Sequence, residues 1–565
     1  MKFSEMPYKR VTYEEIEIKA KELLDKINNA ADVKQALDTF YEYNRFTDKI
    51  STAISLSYIK FTLNTEDEFF VSEKEYYDEV MPKIQDVDLQ FRLALYNSKF
   101  KAELRKEIGD LLFLNIEINM KAFDPKIIPD MQEENRLVSD YDKLLASAQI
   151  EFDGKTLNLS QLGKYKQNTD RDVRKAAYEA EAGFYLKNSD KLDNLYDGLV
   201  KIRTKMAKKL GYENFVELGY YRMMRNSYTK QDVQKFRDYV KKYIVPIASD
   251  LKEEQRQRIN VEKFMLYDDP LEFMSGNAVP KGDPEHIFSQ GKKMYSELSP
   301  ETDEFMNFML NNELFDVISR KGKAVGGYST SLPDFKSPFV FANFNGTSGD
   351  IDVLTHEAGH AFASYLAKDF EITDYRSPTL ESCEIHSMSM EFFTWPWMQL
   401  FFEEQSDKYK YAHLSGALTF IPYGTIVDYF QHIIYENPDL TPDERKDVWK
   451  KLQAEFMPYL NTDGMSFFED GRYWQRQHHI YSSPFYYIDY CLAQTVALEY
   501  WAESQQDYKK AWEKYITMTS RGGKDTFKGL VSSVGLDSPF EEGALKKVAS
   551  IARQWLKSFD KDKLL

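Results

Sequence analysis

Apolar residues recur every three or four positions through the first part of the chain, the spacing of a helix with one buried face. Ile16, Ala20, Leu23, Leu24 and Ile27 keep this rhythm. Thr12-Tyr13-Glu14-Glu15 stands just before it, in the pattern whose Thr hydroxyl and Glu carboxylate satisfy the free N–H groups of a helix start. Similar segments continue to about residue 120 and predict stacked amphipathic helices. The rhythm then breaks. Ile150 to Leu157 alternates around Asp153-Gly154, a hairpin signal. Thr169-Asp170-Arg171-Asp172 opens another helix, periodic and Ala-rich from Val173 to Tyr185. Gly, Pro, Asp and Asn cluster near 265–285 and 320–350, predicting loops or short strands. Within the second cluster, Ser337 to Phe344 is rich in strand formers. From about 350 the helical pattern returns, ending in an amphipathic helix around Lys546–Trp555. The expected fold class is mainly α with a small β element.

Composition narrows the function classes. The chain has 565 residues, enough for one large helical body or two to three subdomains. Only 25 Gly and 19 Pro argue against a turn-rich β fold. A net charge of −17 repels phosphate backbones, so no nucleic-acid partner is expected. The N-terminus carries no apolar leader, and no run of about twenty apolar residues appears, so neither a signal peptide nor a membrane span is expected. The two cysteines, Cys383 and Cys491, form no disulfide framework and no CxxC site. A cytoplasmic location fits. There is no internal repeat, low-complexity tract or Gly-rich phosphate loop.

One motif carries chemistry. His356-Glu357-Ala358-Gly359-His360 places two imidazoles four residues apart, on one helix face and one turn from each other. Both can reach one ion, and Glu357, rotated by about 100°, falls beside it, where a base for an attacking water belongs. Thr347 and Asp350 form a second capping pattern ahead of the motif, and Asp350 and Asp352 add first-turn negative charge. With eight His in the chain, an accidental H-E-x-x-H arises roughly once in a hundred such sequences. A catalytic zinc site needs a third protein ligand and an open position. Spacing alone leaves Glu381, Glu384, His386 and Glu391 in competition. Glu384 and Glu391, seven apart, share a helix face, so one can bind metal while the other supports it. Asp352, one turn before His356, is a candidate acceptor for that ring's free N–H.

The motif followed 24 residues later by Glu384, with Glu391 seven further on, resembles the thimet oligopeptidase family. The chain is most similar to its oligoendopeptidase F branch, which includes the bacterial Pz-peptidases. Gly326-Gly327-Tyr328, Phe341-Ala342-Asn343-Phe344, Tyr423-Gly424 and Asp428 to His432 extend the resemblance over about residues 170–500. The resemblance implies Glu384 as the third ligand of one Zn2+ per chain. It implies His479, Tyr486 and Tyr490 as the His and tyrosines facing the metal, although Ser482-Ser483-Pro484 stands where mammalian-type members carry a glycine pair. Aromatic core packing is the competing reading for that segment. The resemblance also implies two helical halves around a deep channel that admits short peptides. Residues 1–170 would form an N-terminal helical cap and 171–565 the catalytic domain.

Further expectations concern substrate binding, activity and thiol chemistry. Phe339 to Phe344, with Phe341, Ala342 and Asn343 at its centre, is read as an edge strand that pairs with a peptide backbone. Such pairing gives loose sequence specificity. The expected activity is a zinc oligoendopeptidase cutting short peptides internally, as a monomer or homo-oligomer. The alternatives are a zinc carboxypeptidase or dipeptidyl peptidase, with Arg472 or Arg476 gripping a free carboxylate, and a non-catalytic peptide-binding protein. Cys383 and Cys491 adjoin site residues and raise the further expectation of thiol sensitivity, against inert buried thiols.

Overall fold

In the computed structural model, which describes residues 1–564, the Thr12 pattern is a true capping box. The Thr12 hydroxyl accepts the Glu15 N–H, and the Glu15 carboxylate accepts the Thr12 N–H. It opens α1 (Tyr13–Asn28), followed by α2 (Val33–Leu63) and α3 (Glu68–Tyr96). Leu23 and Ile27 of α1, Phe40 and Tyr43 of α2, and Phe91 and Leu95 of α3 bury into one cluster. Tyr375 closes this cluster from far along the chain, its hydroxyl donating to the Ile108 carbonyl at 2.9 Å. The N-terminal helices are therefore stitched to the later half through a shared core.

The predicted hairpin is present as β1 (Ile150–Phe152) and β2 (Lys155–Leu157), paired antiparallel. Asp153 and Gly154 both have positive φ, 51° and 68°, as a two-residue hairpin turn prefers. A second sheet contains β3 (Phe315–Ile318), β4 (Tyr328–Leu332) and β5 (Ser337–Phe344) in the order β3-β5-β4. The expected edge strand is thus the central one: β5 pairs in parallel with β3 and antiparallel with β4. Its near-continuous burial, broken only at Asn343, is that of a strand covered on both faces. The two edges are β3 and β4, each paired only with β5, and it is the β4 edge that bears on the site. Helix α2 braces that edge: Thr62 Oγ1 lies 2.6 Å from the Tyr328 hydroxyl, and Thr52 Oγ1 accepts the Asp334 N–H at 2.9 Å.

The rest is mainly helical, with irregular stretches around 259–283 and 319–327. The helices that matter here are α4 (Gly349–Ala367), α5 (Leu380–Phe393), α6 (Ser406–Glu436) and α7 (Tyr487–Ser504). The capping box expected ahead of α4 does not form. Asp350 turns back to accept the N–H groups of Asn345 and Gly346, each at 2.8 Å, and pins the β5–α4 turn. Helix α4 then packs on α5, and α5 on α7. Gly359 sets the α4–α5 approach: a Cβ there would stand 2.7 Å from Ser387 Cα and 2.8 Å from the His386 carbonyl oxygen. Both are backbone atoms, which cannot swing aside. Among the described residues, no helix is long and apolar enough to cross a membrane.

Two alanine substitutions separate this packing constraint from helix propensity. Gly416, inside α6 with nothing near its would-be Cβ, should gain up to about 1 kcal/mol on Gly416→Ala. Gly359→Ala should instead lose roughly 1–3 kcal/mol, because overpacking outweighs that gain. Denaturant unfolding checks both, and a Gly359→Ala protein as stable as wild type would contradict the close-approach argument.

Candidate metal centre and active site

Helix α4 presents His356 and His360 to the same side, their rings 5.0 Å apart and nearly perpendicular. Helix α5, held close by Gly359, brings Glu384 against both. Glu384 Oε2 lies 3.3 Å from His356 Nε2 and 3.3 Å from His360 Nε2. Ligand atoms about 2.0–2.1 Å from a tetrahedral zinc are separated by about 3.3–3.4 Å, so the three donors have the spacing of one coordination sphere. His356, His360 and Glu384 are also a metal-competent group by mutual distance, all within 4.8 Å. The donor set, two imidazoles and one carboxylate, suits a catalytic rather than a closed structural site. Glu384 is itself fixed. The Ser387 hydroxyl donates to Oε2 at 3.0 Å and the Tyr486 hydroxyl to Oε1 at 2.6 Å.

The other acids and the His that competed by spacing go elsewhere. Glu381 is buried and accepts from the Thr379 hydroxyl at 2.8 Å. The His386 ring meets Thr519 Oγ1 at 3.1 Å, and burial lowers its pKa to about 3. Glu391 Oε1 lies 2.7 Å from His356 Nδ1, leaving Nε2 of that ring toward Glu384. Glu391 Oε2 lies 2.8 Å from His413 Nε2. Burial opposes the Glu391 charge, but the hydrogen bonds from both imidazoles outweigh it and hold the carboxyl down at about 2. Asp352 does not take the His356 N–H. It accepts from the Tyr409 hydroxyl of α6 at 2.6 Å, because Glu391 already occupies Nδ1. Burial raises the Asp352 carboxyl to about 6.

Beside the metal-competent trio is a cavity of about 580 Å³. His356, Glu357, His360, Glu384, Tyr486 and Tyr490 line it, together with Gly327 to Leu332 of the β4 edge. Burial raises the Glu357 carboxyl above its usual range, His356 and His360 opposing. His479 stands behind Tyr490, its Nε2 3.4 Å from that hydroxyl. Burial lowers His479 to about 4, and Gln477 Nε2 lies 2.8 Å from its Nδ1. The amide donor leaves Nε2 as the protonated nitrogen, facing Tyr490. Phe341 and Ala342 are buried in β5 and do not line the cavity. Asn343 lies off it as well, donating to the carbonyls of Ala324 and Gly326 at 2.9 and 3.0 Å and shaping the loop into β4.

Several residues here had no sequence signal. Phe485, just before Tyr486, has φ +68°, a rare conformation for a bulky side chain. Gln431 accepts its N–H at 3.1 Å, and Arg225, ion-paired to Asp489 at 3.0 Å, donates to its carbonyl. Gly219 leaves room for its ring, which would otherwise meet a Cβ at 2.5 Å. The positive φ is therefore over-determined by its surroundings, and Tyr486 is aimed by it. Cys383 lines the cavity, but burial pushes its thiol up to about 12, and Cys491 is buried. Such thiols are poor nucleophiles. Arg472 pairs with Asp193 and Asp470, and Arg476 with Glu181; neither lines the cavity. The cations that do line it, Lys336, Lys368 and Arg376, are paired with Asp369, Asp369 and Asp48.

Comparison with known proteins identifies the family. The profile of peptidase family M3 matches residues 164–272 and 292–550, and that of the peptidase M3 N-terminal domain matches residues 3–123. A crystal structure described as a putative oligoendopeptidase F superposes with a TM-score of 0.97 at 47% identity, covering 100% of both chains. A structure of Pz peptidase A with an inhibitor gives 0.97 at 48%, covering 99% of this chain and 100% of that one. Oligopeptidase PepF of Bacillus subtilis is 22% identical over 385 residues, which are 66% of this chain and 55% of that protein. This alignment thus spans little more than half of PepF. With more than half its length matched by the family profile, the chain belongs to peptidase family M3.

Proposed function

We propose that this protein is a zinc oligoendopeptidase that hydrolyses internal bonds of short, unstructured peptides. The observation that carries this reading is Glu384 set 3.3 Å from both His356 and His360, with Glu357 next to them, opening onto a cavity lined by the β4 strand. The similar proteins, a putative oligoendopeptidase F and Pz peptidase A, point the same way. His356, His360 and Glu384 would hold the ion. Zinc in such a site supplies a Lewis acid for the scissile carbonyl and acidifies water.

The chain's own groups do the rest. Glu357 takes a proton from the attacking water and delivers it to the leaving amine. Its raised pKa matches a group that must hold that proton between the two steps. Tyr486 and Tyr490 line the cavity and are the donors placed to meet negative charge developing on the carbonyl oxygen. The Tyr486 hydroxyl donates to Glu384 until then. His479 donates to the Tyr490 oxygen, which turns the Tyr490 proton away from His479. Glu391 fixes the His356 ring by accepting its Nδ1–H. Asp352 supports the same layer through Tyr409. β4 offers its unpaired backbone to an extended peptide, while Phe341, Ala342 and Asn343 build the sheet behind it. Backbone pairing makes cleavage only loosely dependent on side chains. A free terminal carboxylate finds no unpaired Arg or Lys in the cavity, which favours internal cleavage over the exopeptidase alternative.

A quenched-fluorescence peptide of about ten residues, blocked at both ends, should be cut internally, a length suited to strand pairing. A chelator should abolish the cutting and zinc restore it. Trimming of unblocked peptides alone would contradict the endopeptidase reading. Glu357→Gln should lower kcat about 10²–10⁴-fold with zinc content unchanged. Tyr486→Phe should lower kcat by about 10²–10³ if it is a principal oxyanion donor, with little change in KM. A Tyr486→Phe enzyme with wild-type kcat would remove that residue from the chemistry.

A further inference from the structure

The contacts behind Glu391 continue outward from the candidate metal centre. His413 of α6 is largely buried, with its Nε2 2.8 Å from Glu391 Oε2. Its Nδ1 lies 3.2 Å from the indole Nε1 of Trp395, in the turn that follows α5. An indole N–H can only donate. Nδ1 of His413 must therefore be the lone-pair nitrogen, and its single ring proton sits on Nε2, aimed at Glu391. Glu391 then receives one N–H on each oxygen, from His413 and from His356. With no proton of its own, the Glu391 carboxylate requires His356 to carry its hydrogen on Nδ1. The Nε2 lone pair of His356 is left facing Glu384 and the open site.

The His413 ring cannot easily turn to another arrangement. Phe392, Trp395 and Tyr409 surround it, with ring centroids at 4.8, 5.8 and 5.5 Å. Burial favours the neutral ring, yet Glu391 and Asp352 outweigh it and draw the pKa up. The indole N–H, aimed at Nδ1, opposes a second proton on that nitrogen. We propose that Trp395 and His413 are positioning residues that set the His356 tautomer through Glu391 and thereby the metal affinity of the site. Neither touches the metal-competent donors: the Trp395 indole acts through three successive side chains, His413, Glu391 and His356. This inference rests on the metal-site reading above.

The test is zinc affinity, measured on the purified full chain by competition with a chromophoric chelator. Trp395→Phe keeps the buried ring and deletes only the N–H. It should weaken zinc binding by about tenfold, the low end for lost outer partners of a metal ligand. His413→Leu, which deletes the donor to Glu391, should weaken it by roughly 10–100-fold. His413→Gln retains an N–H that can reach Glu391 and should recover most of that loss. A purely structural role would lower the melting temperature of the metal-free chain without this pattern of affinities. Folded Trp395→Phe and His413→Leu proteins that bind zinc within twofold of wild type would overturn the inference, as would His413→Gln no better than His413→Leu. Wild-type protein that holds no zinc would overturn the metal-site reading itself, and this inference with it.

Discussion

The active region depends on how closely helix α4 can approach helix α5. Two imidazoles on α4 converge through helical geometry alone, but the third donor must come from another element. Gly359 lets the backbones come close enough for Glu384 to meet both rings at 3.3 Å. A methyl group at that position would collide with the α5 backbone. The glycine just before the second histidine of the motif is thus a packing requirement as much as a sequence signature. Helix α5 is in turn fixed by α7, which carries Tyr490 and is preceded by Tyr486. One close helix contact therefore places the ligands, and its neighbours place the tyrosines.

That approach concentrates charge in a buried region, where an unpaired carboxylate or imidazolium is costly. The structure answers with shared partners. Glu384 accepts from Ser387 and Tyr486, Glu391 faces two imidazoles, and Asp352 accepts from Tyr409. Each acid has its own set of donors, which keeps the side chains in one arrangement before any substrate arrives. Such preorganisation matters for catalysis, since groups already oriented need no rearrangement in the transition state. The same logic holds at Phe485, where a costly φ is stabilised by Arg225, Gln431 and the gap at Gly219.

Local periodicity made the helical fold legible, and the i, i+4 spacing made His356 and His360 legible, because both properties live within one helix. The capping box at Thr12 and the Asp153-Gly154 hairpin are legible for the same reason. Glu391 sits where its shared face with Glu384 suggested. The rest depends on contacts between elements. Asp352 lies one turn from His356, yet a tyrosine 57 residues away claims it. His413 and Trp395 bear on the site only after α6 folds across the end of α5, and their own segments carry no mark of it. β5 did carry a sign: its apolar run from Pro338 to Ala342 belongs to a strand covered on both faces, whereas the polar Ser329, Thr330 and Ser331 of β4 suit an exposed edge.

Zinc K-edge absorption on the purified protein tests the proposed ligand set most directly. A sphere of two imidazole nitrogens and light oxygen donors, all near 2.0–2.2 Å and with no sulfur, is the expected result. A sulfur shell near 2.3 Å would place Cys383 in the sphere instead, and a protein that retains no zinc would contradict the proposed centre altogether.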